Sequence, residues 1–548
     1  MCKLSYRFFF ICISAHLLIC TLFFSCAQIV NPNGGAKDVK PPHAIKYIPD
    51  SAKTNFNTKN IAITFDEYIL LNDLQKQLVI SPPMNVQPEV KTKGKTLFIE
   101  LKDSLKKNTT YTFNFGDAIR DFTEGNALEN FQYVFSTGSY IDSLQLIGTV
   151  KNAFDLKTEK GILVMLYDTN DDSIPYKKLP SYFAKTKEDG SYKINNIRSG
   201  TYKTFALKDV HANYVYDFPA ETIAFSDTLI TIKKNSSLDL FLFKEEPMKQ
   251  KLLKANFLEH GHLFFSFAKQ TNDSLKLHFL SQEPKENVIY EYSKEKDTLH
   301  YWFADDLTDT IKIQVAQGNK ILDTVRLKPI TMEQTKKNVR GGKWGLKITT
   351  NVYKSFDLNK TIKMYFSHPV KNATSDSNIS FKSDSVDLSN MVSKIHFTNE
   401  QLKREATMDF SKLKENTSYH LFIPPATFTD IFGLTNDTLK LDFKTQEEKY
   451  YGTLKLSIKM KSNKKYILKL MNEKGEVFDY ANSDKGIFSY QYLPPGSYKL
   501  RIIYDQNGDD KWTTGNYLEK KKPETVIYYS SPITIRSNWD LELDWKVE

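Results

Sequence analysis

The sequence predicts an all-β protein, a tandem array of β-sandwiches behind a cleaved signal peptide. Three observations predict it. Short runs alternate apolar and polar residues with a period of two, and no sustained helical period interrupts them. Aromatic residues make up 13% of the 548, with 37 Phe and 30 Tyr, side chains that pack well on a pleated surface. The second half of the chain also repeats motifs of the first.

Size and charge bound the alternatives. A chain of 548 residues exceeds one core and suggests about four or five domains. Hydrophobic residues at 40% and charged ones at 26% indicate folded rather than disordered material, and 22 glycines exclude collagen-like or glycine-rich repeats. The net charge is +10, but Lys and Arg are interspersed with Asp and Glu, the longest basic runs being as short as Lys520-Lys521-Lys522. A nucleic-acid binder would gather that charge on one face, so no nucleic-acid partner is expected. Contact with an anionic membrane or glycan surface stays open.

Residues 1–25 divide as an export signal does. Lys3 and Arg7 open it, an apolar run extends from Phe8 to Phe24, and Ser25 precedes Cys26. The run holds Ser14 and His16 and is marginal for crossing a hydrocarbon core of about 30 Å. All four cysteines (Cys2, Cys12, Cys20 and Cys26) fall at or before position 26, which suits a chain exported to an oxidising compartment. The end "LFFSC" resembles the lipobox of bacterial lipoproteins. That resemblance implies cleavage before Cys26, lipidation of its sulfur, and a membrane partnership through the lipid. Gln28, where an aspartate would retain the protein at the inner membrane, implies the outer membrane. The alternative is an uncleaved N-terminal membrane helix with an incidental cysteine. Residues 26–43, with "NPNGGAKDVKPP", read as an extended tether.

The first sandwich is expected over 44–138. In "NIAITFDEYI" Ile61, Ile63 and Phe65 face one way, and the alternation recurs in "TLFIEL", "YTFNFG" and "FQYVFSTG". A second copy is expected over 345–446: "LKKNTTY" at Leu105 matches "LKENTSY" at Leu413, and "FST" at Phe135 matches "FKT" at Phe443, both at offset 308. "ITFDEYI" at Ile63 is answered by "MYFSHPV" at Met364, without the acidic residue after Phe, and both copies carry an acidic turn, "RDFTEGN" and "TDIFGL". This pattern resembles the SbsA-type bacterial Ig-like domain found in Bacteroidetes lipoproteins.

Another repeat follows each copy, over 140–245 and 449–548. "DGSYKINNIRSGTYKTFALKD" at Asp189 corresponds to "KGIFSYQYLPPGSYKLRIIYD" at Lys485, placing Gly190, Gly200 and Asp209 on Gly486, Gly496 and Asp505 at offset 296. The glycines are expected at hairpin turns of positive φ. The phrase resembles prealbumin-like or Cna-B-type sandwiches. Residues 246–332 also alternate, with a Gly318-Asn319 turn, and are expected to form a β-sandwich of another type. Thr331–Gly345 reads as a linker.

Asp505, Asn507 and Asp509 have the 1, 3, 5 spacing of a calcium loop, making calcium the one cofactor candidate, although position 12 holds Asn516 rather than a bidentate Glu. The competing reading is an Asx-turn cluster bonded to its own backbone. The first copy offers "DVHANYVYD", with His211 a poor calcium ligand. "EHGH" sets His260 and His262 on one strand face as a metal pair lacking a third ligand. Ser104/Lys107 and Ser411/Lys414 satisfy Ser-x-x-Lys by chance, since no helix and no "SDN" or "KTG" accompany them. Trp344 and Trp512 are the candidates for exposed, glycan-stacking aromatics, whereas Trp539, Leu541, Leu543 and Trp545 alternate as a core face. No nucleophile elbow, P-loop or zinc-protease motif occurs. The expectation is a non-enzymatic envelope lipoprotein acting as scaffold, adhesin or binder of an envelope protein or polysaccharide. The runner-up is a glycan-binding accessory lipoprotein, with an unrecognised envelope hydrolase behind it.

Overall fold

The computed structural model describes residues 37–547 except 130, 218–220, 272–273, 340–343, 375–378, 385, 390–394, 409–412, 461–464, 476 and 484–485. Cys26 and the leader lie outside the described residues. The regular structure of the described residues is almost entirely strand, and no helix among them is long and apolar enough to cross a membrane. The described residues separate into two compact units: those up to 145 with 181–183 and 194–199, and the remainder.

In the first unit, strands Ala44–Ile48, Asn60–Phe65, Thr96–Glu100 and Glu89–Lys93 form one antiparallel sheet in that order. Val79–Ser81, Thr110–Asn114 and Gln132–Ser136 form another. The period of two does what it predicts: Ile61, Ile63, Phe65, Leu97 and Ile99 meet Tyr111, Phe113, Tyr133 and Phe135 in one buried cluster.

The second unit holds an Ig-like sandwich with the same devices. Its sheets run Ile348–Thr350, Ile362–Phe366, Glu405–Met408, Ile395–Phe397 and Ser355–Phe356, Leu439–Thr445, Ser418–Ile423, Ser380–Ser383. The repeated "LKxNTxY" phrase is a turn tied by its tyrosine. The Tyr111 hydroxyl accepts the Lys106 N–H at 2.9 Å, and Tyr419 accepts Lys414 N–H at 2.8 Å. Thr137 and Thr445 donate to the carbonyls of Lys106 and Lys414, both at 2.6 Å. The acidic turns are also structural: Asp121 accepts N–H bonds from Glu124, Gly125 and Asn126, and Asp430 from Phe432 and Leu434. The acidic residue missing from "FSHPV" is replaced in kind. Asp66 accepts the His43 N–H at 2.8 Å, and Ser367 accepts that of Lys347 at 3.0 Å.

The second unit also contains the later copy of the other repeat and most of the earlier one. One sheet includes Leu163–Tyr167, Gly200–Lys208, Thr222–Phe225, Leu240–Lys244 and Leu144–Asn152 in order. The later copy packs Ile487–Leu493, Gly452–Met460 and Asp540–Val547 against a sheet that includes Tyr466–Asn472, Gly496–Tyr504 and Val526–Tyr528. In each, an early strand pairs in parallel with the closing one. Gly190 has the expected left-handed turn conformation (φ +75°). Gly486 serves differently, since a Cβ there would lie 2.8 Å from the Ile458 carbonyl.

Residues 252–327 form two sheets around their own buried cluster, one of Leu252–Glu259, His262–Phe267, Thr298–Trp302 and Ile289–Tyr292, the other of Leu275–Phe279, Ile311–Gln317 and Lys320–Leu327. The expected linker after them is partly helical. Met332–Asn338 is a helix because Thr331 and Gln334 close a reciprocal capping box, which satisfies two end N–H groups. Trp539 departs from the core expectation as well. It precedes the strand Asp540–Val547 and is 55% exposed, while Trp545 is buried.

Candidate functional site

The loops after Gly200–Lys208 and Gly496–Tyr504 share one frame. The Asp209 carboxylate accepts N–H bonds from Asn213 (3.2 Å) and Tyr214 (2.8 Å). Asp505 accepts those of Gly508 (2.7 Å), Asp509 (3.2 Å) and Asp510 (3.1 Å). A buried glutamate closes each loop: Glu221 accepts the N–H of Val210 (2.6 Å) and Asp217 (2.9 Å), and Glu524 those of Gln506 (2.7 Å) and Thr513 (2.9 Å).

The calcium candidates therefore turn inward on their own loop. Asn507 donates to Asp509 (3.0 Å) and Thr513 (2.8 Å), while Asp509 accepts the Lys511 N–H at 2.9 Å. This is the Asx-turn arrangement, in which short polar side chains satisfy the backbone beside them. The first loop differs at its rim. Single donor atoms of His211, Asp217 and Glu221 lie within 4.8 Å of one another. Counted from Asp209 as position 1, Ala220 takes the twelfth place of a calcium loop, and Glu221, one residue on, substitutes for the expected glutamate only if the loop folds differently.

The later loop docks on the earlier sandwich. Tyr517, 1% exposed, inserts its ring among Phe205, Phe225 and Tyr176, with centroids 5.2, 5.1 and 6.2 Å away. Its hydroxyl donates to the Asp172 carbonyl (2.8 Å) and its N–H to Glu245 (2.5 Å), whose other oxygen accepts from Tyr216 (2.6 Å). Burial of the ring, then the nearby Asp172 charge, raises the Tyr517 pKa, so the phenol stays a donor. Lys520 pairs with Asp172 and Lys522 with Asp227, each at 2.6 Å, so part of the lysine run is an ionic rim instead of free surface. Trp512 is not an exposed platform. Its edge meets Phe154 at 5.0 Å and its Nε1 donates to the Glu524 carbonyl.

Trp344 is likewise buried, at 8% exposure, and this overturns the expectation that the linker presents it to solvent. It lies against Phe432 (5.4 Å), His368 (5.7 Å) and His260 (6.0 Å), and its Nε1 donates to Glu259. The "EHGH" motif is a hairpin turn rather than a strand face: Glu259 pairs with His262 across it, and the His260 N–H donates to Thr335 of the helix. His260 and His262 serve different contacts. His262 stacks on Trp302 at 3.5 Å and shares a 2.8 Å hydrogen bond with His300. Arg404 covers the Trp302 ring and pairs with Glu291, to which the indole also donates.

The electrostatics of this joint are divided. Burial alone would raise Glu259, but His262 and His368, each with a ring nitrogen 3.5 Å from its Oε1, outweigh it and hold its pKa at about 2. Burial likewise opposes charge on His368, yet Asp430 (2.7 Å) and Glu259 (3.5 Å) outweigh it and raise its pKa. Burial dominates at His262 and His300 and lowers both. His368 is thus the imidazole whose charged form the carboxylates favour.

Residues 38–137 and 349–445 match the family model of the bacterial Ig-like domain. No curated protein matches the chain. Among solved structures, the major pilin subunit of Bacillus cereus is 13% identical, with 74% of this chain and 99% of that one covered and a TM-score of 0.13. The Bacillus anthracis TIE protein is 11% identical over 94% of this chain and 76% of that one, TM-score 0.15. Surface layer protein SbsC, domains 1-6, is 12% identical over 87% and 67%, TM-score 0.15. The fold itself defines the class: a tandem array of β-sandwiches, two of them matching the bacterial Ig-like pattern.

Proposed function

We propose that the chain is a non-enzymatic, lipid-anchored scaffold of a bacterial cell envelope. On this reading it is held at the outer membrane through Cys26 and binds an envelope protein or polysaccharide. One observation carries the scaffold reading. The aromatic and polar residues that the sequence offers for chemistry hold geometry rather than line an open cleft: Trp344, His260 and Trp512 are spent in joints between sandwiches, and His262 stacks on Trp302 of its own sheet. Anchoring is supported by the lipobox-like "LFFSC". A Cys26→Ser variant should keep its leader and carry no acyl chain, read by mass spectrometry of the N-terminus. Unchanged pelleting of a cleaved protein would refute the anchor.

The glycan reading is favoured by one feature. Trp539 borders a groove of about 670 Å³ that also presents Tyr492, Glu448, Asn416, Asn538 and Asp540, an aromatic face ringed by hydrogen-bonding groups. Retention on a polysaccharide panel, lost in Trp539→Ala, is its test. Equal retention of both proteins would remove it.

A further inference from the structure

We infer that the loop bearing His211, Asp217 and Glu221 is a site for a divalent transition-metal ion of the zinc type. His211 Nδ1 lies 3.0 Å from Asp217 Oδ2 and 3.5 Å from Glu221 Oε1, and all three donor atoms fall within 4.8 Å. Ligands about 2.0–2.1 Å from a tetrahedral ion stand roughly 3.3 Å from each other, so these separations need little adjustment. The donor set also decides the ion. A neutral imidazole with two carboxylates suits zinc-type chemistry, while calcium takes six or more oxygens. Two carboxylates against a 2+ ion leave the site neutral.

The site is held in place from behind. Glu221 is buried and fixed by the N–H groups of Val210 and Asp217. The Asn213 amide donates to Asp217 Oδ2 at 2.8 Å, the outer bond that orients a ligating carboxylate. His211 is exposed, which leaves the fourth position to water or an outside donor.

The sister loop supplies an independent argument. It has the same aspartate and glutamate frame, Asp505 and Glu524, yet carries Asn507 and Thr513 where offset 296 places His211 and Asp217. Folding of the loop therefore does not demand the histidine or the second carboxylate. Their presence in one copy calls for another reason, and metal ligation supplies it. The inference stands apart from the scaffold reading, since it needs neither lipid nor polysaccharide.

Cobalt(II) added to the full-length protein should give the intense visible bands of a four-coordinate ion, saturating at one equivalent and displaced by zinc but not by calcium. Removing an outer partner alone costs 10- to 100-fold in affinity, so His211→Ala and Asp217→Asn should each weaken cobalt binding by at least about tenfold. Asn507→Ala, in the sister loop, should leave it unchanged. Both ligand variants alter exposed or half-exposed side chains, and an unchanged melting curve without metal would show that they fold. Absence of bands, bands indifferent to His211→Ala, or displacement by calcium as readily as by zinc would overturn the assignment.

Discussion

The hydroxyl of Tyr517 donates a 2.8 Å hydrogen bond to the carbonyl of Asp172, 345 residues earlier in the chain. With the Tyr517 N–H on Glu245 and the Thr514 hydroxyl on the Lys244 carbonyl, it fastens the last sandwich onto the earlier copy of the same repeat. The ring fills an aromatic pocket, so its removal leaves a cavity. Tyr517→Ala should destabilise the joint by about 3–5 kcal/mol, and Tyr517→Phe, which loses only the hydroxyl bond, by about 1 kcal/mol. Denaturant unfolding ranks the two. Equal effects would mean that the pocket contributes nothing beyond the hydrogen bond.

Gly261 tests the other joint. Its φ is +63°, and a Cβ would fall 2.2 Å from the Phe303 carbonyl and 2.5 Å from the Phe432 ring. Gly318, at a hairpin of similar φ (+58°), has nothing within 4 Å. Gly318→Ala should cost about 1 kcal/mol, the strain of a left-handed backbone alone. Gly261→Ala adds a backbone collision and should lower the melting temperature by a clearly larger step. Matching shifts would show that the hairpin moves aside freely.

The repeated tyrosine turn predicts paired effects. Tyr111→Phe and Tyr419→Phe each remove the acceptor of one N–H, Lys106 or Lys414. Each should cost about 1 kcal/mol, the usual net value of such a bond. Because Tyr111 and Tyr419 belong to different compact units, each variant should shift a different unfolding step, read by calorimetry. A single common shift would contradict the division.

Local rules made the sandwiches legible: the period of two located Ile61, Ile63 and Phe65, and the paired phrases located Tyr111 and Tyr419. The joints were not, because packing between sandwiches leaves no period. Trp344 sits among polar and glycine residues and looks exposed in sequence, yet Phe432 and His368 cover it from the next sandwich. The helix Met332–Asn338 was readable in principle from Thr331 and Gln334, the two ends of a capping box. Trp539 misled because the alternating run begins one residue after it. At the acidic loops spacing gave the residue types but not the direction of their oxygens, which the backbone N–H groups set.

The histidine joint should give stability a maximum near pH 6.5, with separate causes on either side. His262 and His300 have lowered pKa values, so the unfolded chain binds more protons than the fold below the ordinary value of 6.5, and stability falls as the pH drops. His368 has a raised value, so its contribution is complete below 6.5 and is lost as the pH climbs through its folded pKa. Glu259, held at about 2, adds a further loss as the pH falls from its ordinary 4.5. The other charges facing these groups are Asp430, Glu291, Arg404 and, beside His260, Asp306. Melting temperatures measured from pH 4 to 9 should therefore peak, and each variant should weaken one limb. His368→Gln should flatten the alkaline side while keeping the acid fall, and His262→Gln should soften the acid fall between pH 6.5 and 5. An alkaline limb that survives in His368→Gln would place the titration elsewhere and remove this ion pair as the lock between the two sandwiches.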